Sequence, residues 1–322
     1  AGPTDASGIY LRDSQTFTVV INNNTVSRNT GNGVYATGKS AVSGNTVSNN
    51  TGKGIYINGS STISGNNVSN NGSTGISATA ILGLVTISNN TVTGNTSSSD
   101  AGGIFAFSAG FNMTINNNTV TGNSASGACG GICVLHGGGE PFVVTGNTVK
   151  RNVASTDGGG IFAGGIGTLS SNTIDGNTSS GRGGGIWTQG NITISDSTIS
   201  NNTASGEGGG IYSNAGGGLS IGSYNVSYVG GILTLSSNTI TSNTTKTKGG
   251  GISLSNGSRP AISNNDIYGN TGVYGSDFYN GNASGGADVN AENNWWGTTD
   301  GNTIESLIWH FIDDSSLGVV DY

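Results

Sequence analysis

The sequence predicts an all-β fold, a solenoid of about 10–11 coils in which short parallel strands stack on their own copies. Three observations carry this. A nine-residue unit, aliphatic-x-x-Asn-x-aliphatic-x-x-Asn, recurs ten times without a change of length. A Gly-Ile or Gly-Val pair precedes each copy. All variation in repeat length falls in the two gaps flanking that pair, as fixed strands joined by variable turns require.

The anchors of the Gly-aliphatic pairs are Ile9, Val34, Ile55, Ile76, Ile104, Ile132, Ile161, Ile186, Ile211 and Ile252. From anchor to unit the spacing is 12, 8, 8, 11, 11, 12, 8, 8, 24 and 10 residues. From the unit's last Asn to the next anchor it is five in the first three steps and nine in the next six. Alternating aliphatics in segments this short suit strands rather than helices. At a strand spacing of ~4.8 Å, ten coils make a rod of roughly 50 Å.

The first Asn column runs Asn24, Asn45, Asn66, Asn90, Asn118, Asn147, Asn172, Ser197, Asn238 and Asn265. The second runs Asn29, Asn50, Asn71, Asn95, Asn123, Asn152, Asn177, Asn202, Asn243 and Asn270. Identical amides stacked at strand spacing can bond their neighbours above and below and the backbone of the bend. Asn also tolerates the left-handed backbone of sharp bends. Ladders are therefore expected, with one Ser exception.

Strand alternation sends the residue after each anchor to the opposite face. Most of that column is aromatic: Tyr10, Tyr35, Tyr56, Phe105, Phe162, Trp187 and Tyr212. It reads either as stacking that stiffens the sheet or lies beneath neighbouring turns, or as an exposed sugar-stacking or assembly surface. Four residues before the late anchors stand Asp157, Arg182, Glu207 and Lys248, alternating in sign, which predicts an ion-pair ladder. The insertion at about 215–231 is an excursion from a rigid scaffold, with Tyr224 and Tyr228 as candidate ligand contacts. Cys129 and Cys133 flank a Gly-Gly turn as a disulfide or as neighbouring thiols; spacing alone does not decide. Two cysteines without a nearby His or further Cys make no metal site, and no metal or cofactor is expected. His136, near Glu140, is expected in a surface loop.

Beyond Asn302 the period becomes helical. Ile304, Leu307, Ile308, Phe311 and Ile312 predict an amphipathic helix with Asn302 as N-cap and Glu305 three residues on. That helix is expected to cover the apolar end of the stack, with Trp295 and Trp296 packed beneath it and "LGVVDY" as a last strand. No comparable cap precedes Ile9, and solenoids need capped ends for solubility, so end-to-end self-association is expected.

"VSGNTVSNNTGKGIYI", from Val42 to Ile57, resembles the right-handed parallel β-helix repeat of the pectate-lyase-like superfamily. "AENNWWGTTDG", from Ala291 to Gly301, resembles the Asn-Asn-Trp-Trp-Gly segment that often ends such domains in bacterial and archaeal surface proteins. The resemblance implies the fold and divides the chain into coils over 1–286 and a cap over 287–322. For function it implies little, because the superfamily includes lyases, hydrolases, adhesins and structural proteins.

A net charge of −7 with ten Lys and Arg lacks the electrostatic footprint of nucleic-acid binding. No apolar run approaches the ~18 residues of a membrane span. The opening "AGPTDASGIY" reads as a secreted chain already trimmed of its signal. Asn-x-Ser/Thr sequons, at Asn23, Asn49, Asn58, Asn95, Asn177, Asn243 and Asn282 among others, are candidates for N-glycosylation. Glycosidases need paired carboxylates, and calcium-assisted lyases an acidic cluster with a base; the seventeen acids are scattered. The expectation is a non-enzymatic extracellular structural or adhesive β-helix, a subunit of a surface filament or coat, with cell-surface or environmental glycans as partners. The alternative is a polysaccharide-active enzyme or carbohydrate-binding module.

Overall fold

The structure, a computed structural model, describes residues 7–12, 17–81, 83–221, 224–228, 231–258, 260–285 and 288–322. Each aliphatic strand pairs in parallel with its copy in the next coil: Ile9 with Val34, Val34 with Ile55, Ile55 with Ile76, and on to Phe278 with Ile308. Three stacks result. The anchor strands and the first strands of the nine-residue units are joined into one 22-stranded sheet by the continuous strands Ile161–Ser170 and Ile186–Ser195. The second strands of the units form a ten-stranded sheet. A six-stranded sheet appears only where nine residues separate the unit from the next anchor, because the longer turn has room for one more rung. Inside lies one continuous core of anchor and unit aliphatics, nearly all fully buried.

The Asn columns are hydrogen-bonded ladders, and Asn66 shows their repeating geometry. Its backbone N–H and its Nδ2 both donate to Asn90 Oδ1 at 2.9 Å. Nδ2 also reaches Val42 O at 2.9 Å and Ser64 O at 3.1 Å. Its own Oδ1 accepts the same pair of bonds from Asn45. This amide thus ties three coils and pairs its own polar atoms, which is what burial demands. The residue before a ladder Asn takes left-handed backbone: Asn23 at φ 54°, Gly44 at 65°, Asn89 at 55°, Asn117 at 55°. That explains the Asn-Asn and Gly-Asn doublets, in which the first residue makes the turn and the second makes the ladder.

Ser197 is the one foreign rung. It accepts from Asn172 N–H at 3.1 Å, and its hydroxyl turns to its own strand at Ser195 O, so the amide-to-amide bonds of that step are missing. Ser197→Asn is expected to restore them and to raise stability by about 1 kcal/mol, read as a higher Tm without change in the circular dichroism.

The ladders run further than the repeat unit. Asn265 bonds Asn294, so the second Asn of the C-terminal Asn-Asn-Trp-Trp segment is an additional rung. Asn270 donates from its backbone N–H and its Nδ2 to Asp277 Oδ1, at 3.0 and 2.8 Å, and Asp277 ends the second ladder. Asp277 Oδ2 is buried without a partner among the described residues, and burial pushes the carboxyl up to about 6. The folded pKa lies above the unfolded one, so folding takes up a proton between them. Stability from this group is complete below about pH 4 and is lost as pH rises through about 6. Asp277→Asn is expected to remove that slope and to stabilise the protein at pH 7 by about 1–3 kcal/mol, with little change at pH 4, in paired thermal denaturations.

The C-terminal helix is shorter than its period suggests. It spans Gly301–Leu307 and is capped by Asp300, not Asn302: Asp300 accepts from Thr303 N–H at 2.9 Å. None of its residues is buried. Ile308–Trp309 leaves the helix to pair with the Phe278 strand, so backbone bonds to the stack win over one more helical turn. Phe311 and Ile312, expected on the helix's inner face, are exposed. The end of the stack is closed instead by Ile308, Val320 and Trp296, the last packing edge-on to Phe278 at 6.4 Å. Trp295, expected beneath the cap, points outward at 45% exposure, because strand alternation sends neighbouring residues to opposite faces. Val320–Asp321 forms the last strand, against Val289–Asn290. No helix is long and apolar enough to cross a membrane, among the described residues.

Candidate functional site

The aromatic column divides into two parts with different environments. In the first coils Tyr10 and Tyr35 stack at 5.0 Å and 13°, and Tyr56 meets Tyr35 edge-on at 5.1 Å. Tyr10 is exposed, and Tyr35 and Tyr56 are half-buried. Farther along, Phe105, Phe162, Trp187 and Tyr212 are buried, contrary to an exposed stripe. With Ala101, Ala128, Cys129, Cys133, Leu135 and Ile221 they make a second apolar core on the outside of the coils. Phe162 and Trp187 stack within it at 4.2 Å.

What covers that core is the insertion. Gly217–Ile221 and Tyr224–Tyr228 pair as an antiparallel hairpin. It lies back along the rod, and Tyr224 packs on Phe107 at 4.3 Å and Phe105 at 5.3 Å. The 24-residue gap therefore serves to roof the aromatic column. The Tyr228 side chain lies outside the described residues.

Two pockets share Ile221, the last residue of the first hairpin strand. One, of about 260 Å³, is lined by Lys53, Tyr56, Asp100, Ile221, Tyr224 and a set of Ser and Thr hydroxyls. Lys53 Nζ lies 4.1 Å from the Tyr56 ring centroid and donates to Ser77 Oγ at 3.0 Å. Among the described residues no carboxylate lies within ion-pairing distance of it, and burial pulls its pKa below the usual lysine range. Burial also raises the Tyr56 hydroxyl, helped by Tyr224 and Tyr35. Asp100 is held by Ala128 N–H, which donates to its Oδ1 at 2.8 Å. The second pocket, of about 310 Å³, is lined by Asp157, Arg182, Trp187, Gln189, Asn214 and Ile221, among others. The buried Trp187 Nε1 has no partner among the described residues.

The charges before the late anchors pair two by two. Arg182 and Asp157 make a bidentate contact at 2.8 and 3.3 Å, which pushes the Arg182 pKa up further, and Arg182 also reaches the Tyr212 hydroxyl at 3.2 Å. Lys248 pairs with Glu207 at 3.6 Å. Lys150 with Asp175 at 3.7 Å is a further cross-coil pair, signalled in sequence only by opposite charges after the ladder aliphatics Val149 and Ile174. Surface pairs of this kind contribute about 0–1 kcal/mol each.

Cys129 and Cys133 are buried free thiols in mutual contact inside the outer core, the second of the two readings left open by their spacing. His136 is buried in a strand rather than in a surface loop: its Nε2 donates to Phe111 O at 2.9 Å, so Nδ1 faces the Gly138 N–H. Glu140 is exposed. Among the sequons, Asn23, Asn49 and Asn58 are exposed. Asn95, Asn177 and Asn243 are buried ladder rungs and Asn282 is buried against Ser258 O, so these four cannot carry a glycan in the folded chain.

Glu305, His310 and Asp313 are the one described group with metal-ligand spacing. Val320 N–H donates to His310 Nδ1 at 3.1 Å, which leaves the proton on Nε2, bonded to Glu305 Oε1 at 3.1 Å. In that tautomer Nε2 has no lone pair to offer a metal. The group ties the last turn of the chain together instead.

A family profile described as "Right handed beta helix region" matches residues 4–149 and 130–305. No curated protein and no solved structure matches the chain. With parallel coils, a continuous inner core and a profile match over most of its length, the chain belongs to the right-handed β-helix family.

Proposed function

We propose that this protein is a non-enzymatic, extracellular structural and adhesive β-helix whose copies join end to end. The observation that carries the reading is the polarity of charge along the rod. Residues 1–99 carry Arg12, Arg28, Lys39 and Lys53 against Asp5 and Asp13. Residues 276–322 contain eight acids and no Lys or Arg. Exposed apolar side chains accompany the charge at both ends, Phe17 and Val20 in the basic coils, and Trp295, Phe311 and Ile312 in the acidic segment. Opposed fields of this kind steer association and fix its orientation, and exposed apolar groups at both ends favour contact.

The acids that align between coils are engaged in holding the rod together, as in Asp157 with Arg182 and Glu207 with Lys248. This favours the structural reading over the enzymatic one. Release of reducing ends or of unsaturated products from a panel of neutral and acidic polysaccharides would overturn the non-enzymatic part. Sedimentation velocity tests the assembly: association is expected at about 20 mM salt and dissociation at about 500 mM, where the Debye length falls to a few ångströms. A species insensitive to salt counts against it. For adhesion, Tyr10, Tyr35 and Tyr56 are the described column aromatics that reach solvent, and binding to immobilised glycans is expected to weaken when all three become Ala.

A further inference from the structure

We infer that the pocket between Tyr56 and Tyr224 is a binding site for the terminal residue of a neutral glycan. This rests on the pocket rather than on the assembly reading. Three features place the site. First, the hairpin crosses the aromatic column: Tyr224 sits on Phe105 and Phe107, so anything lying along Tyr35 and Tyr56 meets a wall there. A polymer cannot continue past it along the column, whereas a chain end can abut it. Second, the pocket is small. At about 260 Å³ it lies just below the ~300–1,000 Å³ of ordinary ligand pockets, room for one ring rather than several.

Third, the lining fits hydroxyls. Lys53 has one hydrogen-bond acceptor, Ser77 Oγ, and lacks a carboxylate partner among the described residues, so its ammonium keeps donors for a ligand. Asp100, fixed by the Ala128 N–H, brings acceptor oxygens to the same pocket, and the surrounding Ser and Thr can do either. An ammonium and a carboxylate facing one small space offset each other's charge and suit the vicinal hydroxyls of a neutral sugar. Tyr56 and Tyr224 supply the apolar sides. A terminal ring differs from an internal one by its free hydroxyl, which is what such a pocket is equipped to hold.

The test uses the full chain and defined probes: linear neutral hexasaccharides of β-glucan, xylan and mannan type, hexagalacturonate, and the corresponding long polymers, titrated calorimetrically. One-to-one binding of at least one neutral hexasaccharide is expected, weakened at least tenfold by Lys53→Met and by Asp100→Asn. The matching polymer is expected to take one protein per chain end, whatever its length. Thermal denaturation of both variants checks that the fold persists, and Asp100→Asn retains the acceptor for the Ala128 N–H. Protein bound in proportion to polymer length overturns end recognition. Preference for hexagalacturonate overturns the neutral assignment, and no binding to any probe, or unchanged binding in folded Lys53→Met, overturns the site itself. None of these outcomes depends on whether rods join end to end, so the two readings fail separately.

Discussion

Asn123→Ala is expected to destabilise the protein by about 3–5 kcal/mol. Asn123 is fully buried in the middle of the second ladder. Its Oδ1 accepts from Asn95 N–H at 3.0 Å and from Asn95 Nδ2 at 2.9 Å. Its Nδ2 donates to Asn152 Oδ1 and to Val92 O, both at 3.0 Å. Alanine removes all four bonds and leaves the Asn95 backbone N–H without a partner in a place water cannot reach. A buried orphaned group costs about 1–3 kcal/mol, and here several are orphaned together. Asn123→Asp sharpens the test because it keeps the shape and loses only the donor. At neutral pH it puts a charge beside Val92 O and Asn152 Oδ1, so it is expected to be worse than alanine, with partial recovery in acid. Urea denaturation monitored by circular dichroism measures both. A cost below about 1 kcal/mol for Asn123→Ala would mean that the ladder is decoration on a stack held by its aliphatic core.

Gly131→Ala is expected to cost about 3 kcal/mol or more, for a different reason. Gly131 precedes the anchor Ile132 and stands where one coil's backbone lies directly on the next. A Cβ there would clash with the Gly160 carbonyl oxygen and meet Val149 Cγ1 at 2.8 Å and Asn152 Nδ2 at 2.9 Å. The first obstacle is backbone in a hydrogen-bonded stack and the third belongs to a ladder, so neither yields without breaking register. Gly33, Gly54, Gly75, Gly103, Gly160 and Gly185 face the same three kinds of neighbour: at Gly103 a Cβ would meet Gly131 O, Val120 Cγ1 and Asn123 Nδ2. The glycine of the Gly-aliphatic pair is thus required by close approach of coils. Gly110, in an open turn with nothing near its absent Cβ, is the control, and Gly110→Ala is expected to be within about 0.5 kcal/mol of wild type.

The coils were legible in the sequence because register in a solenoid is set locally: the same aliphatic and the same Asn return at a fixed place in each turn. Ser197 stands in its ladder as the spacing required, and the anchors pair as their order required. Less visible were features that depend on how separate parts meet. The left-handed column before the ladder Asn is filled in turn by Asn, Gly, Ser and Arg, so no single residue type marks it. The burial of Phe105, Phe162, Trp187 and Tyr212 follows from where the hairpin lies, and a gap of 24 residues gives no direction. Helical spacing after Asn302 misled because Ile308 is also a β-branched residue in reach of a free strand edge, and tertiary pairing overrode the local period. The pocket joins Lys53, Asp100 and Tyr224, separated by 47 and 124 residues, and only the path of the hairpin brings them together.

Joining of rods at their oppositely charged ends is tested most directly by electron microscopy of the protein at low salt over a range of concentrations. Single-file rods are expected, with lengths in multiples of roughly 50 Å and a mean that grows with concentration and shrinks when salt is added. Single rods of one length at every concentration, or lateral sheets indifferent to salt, would contradict it.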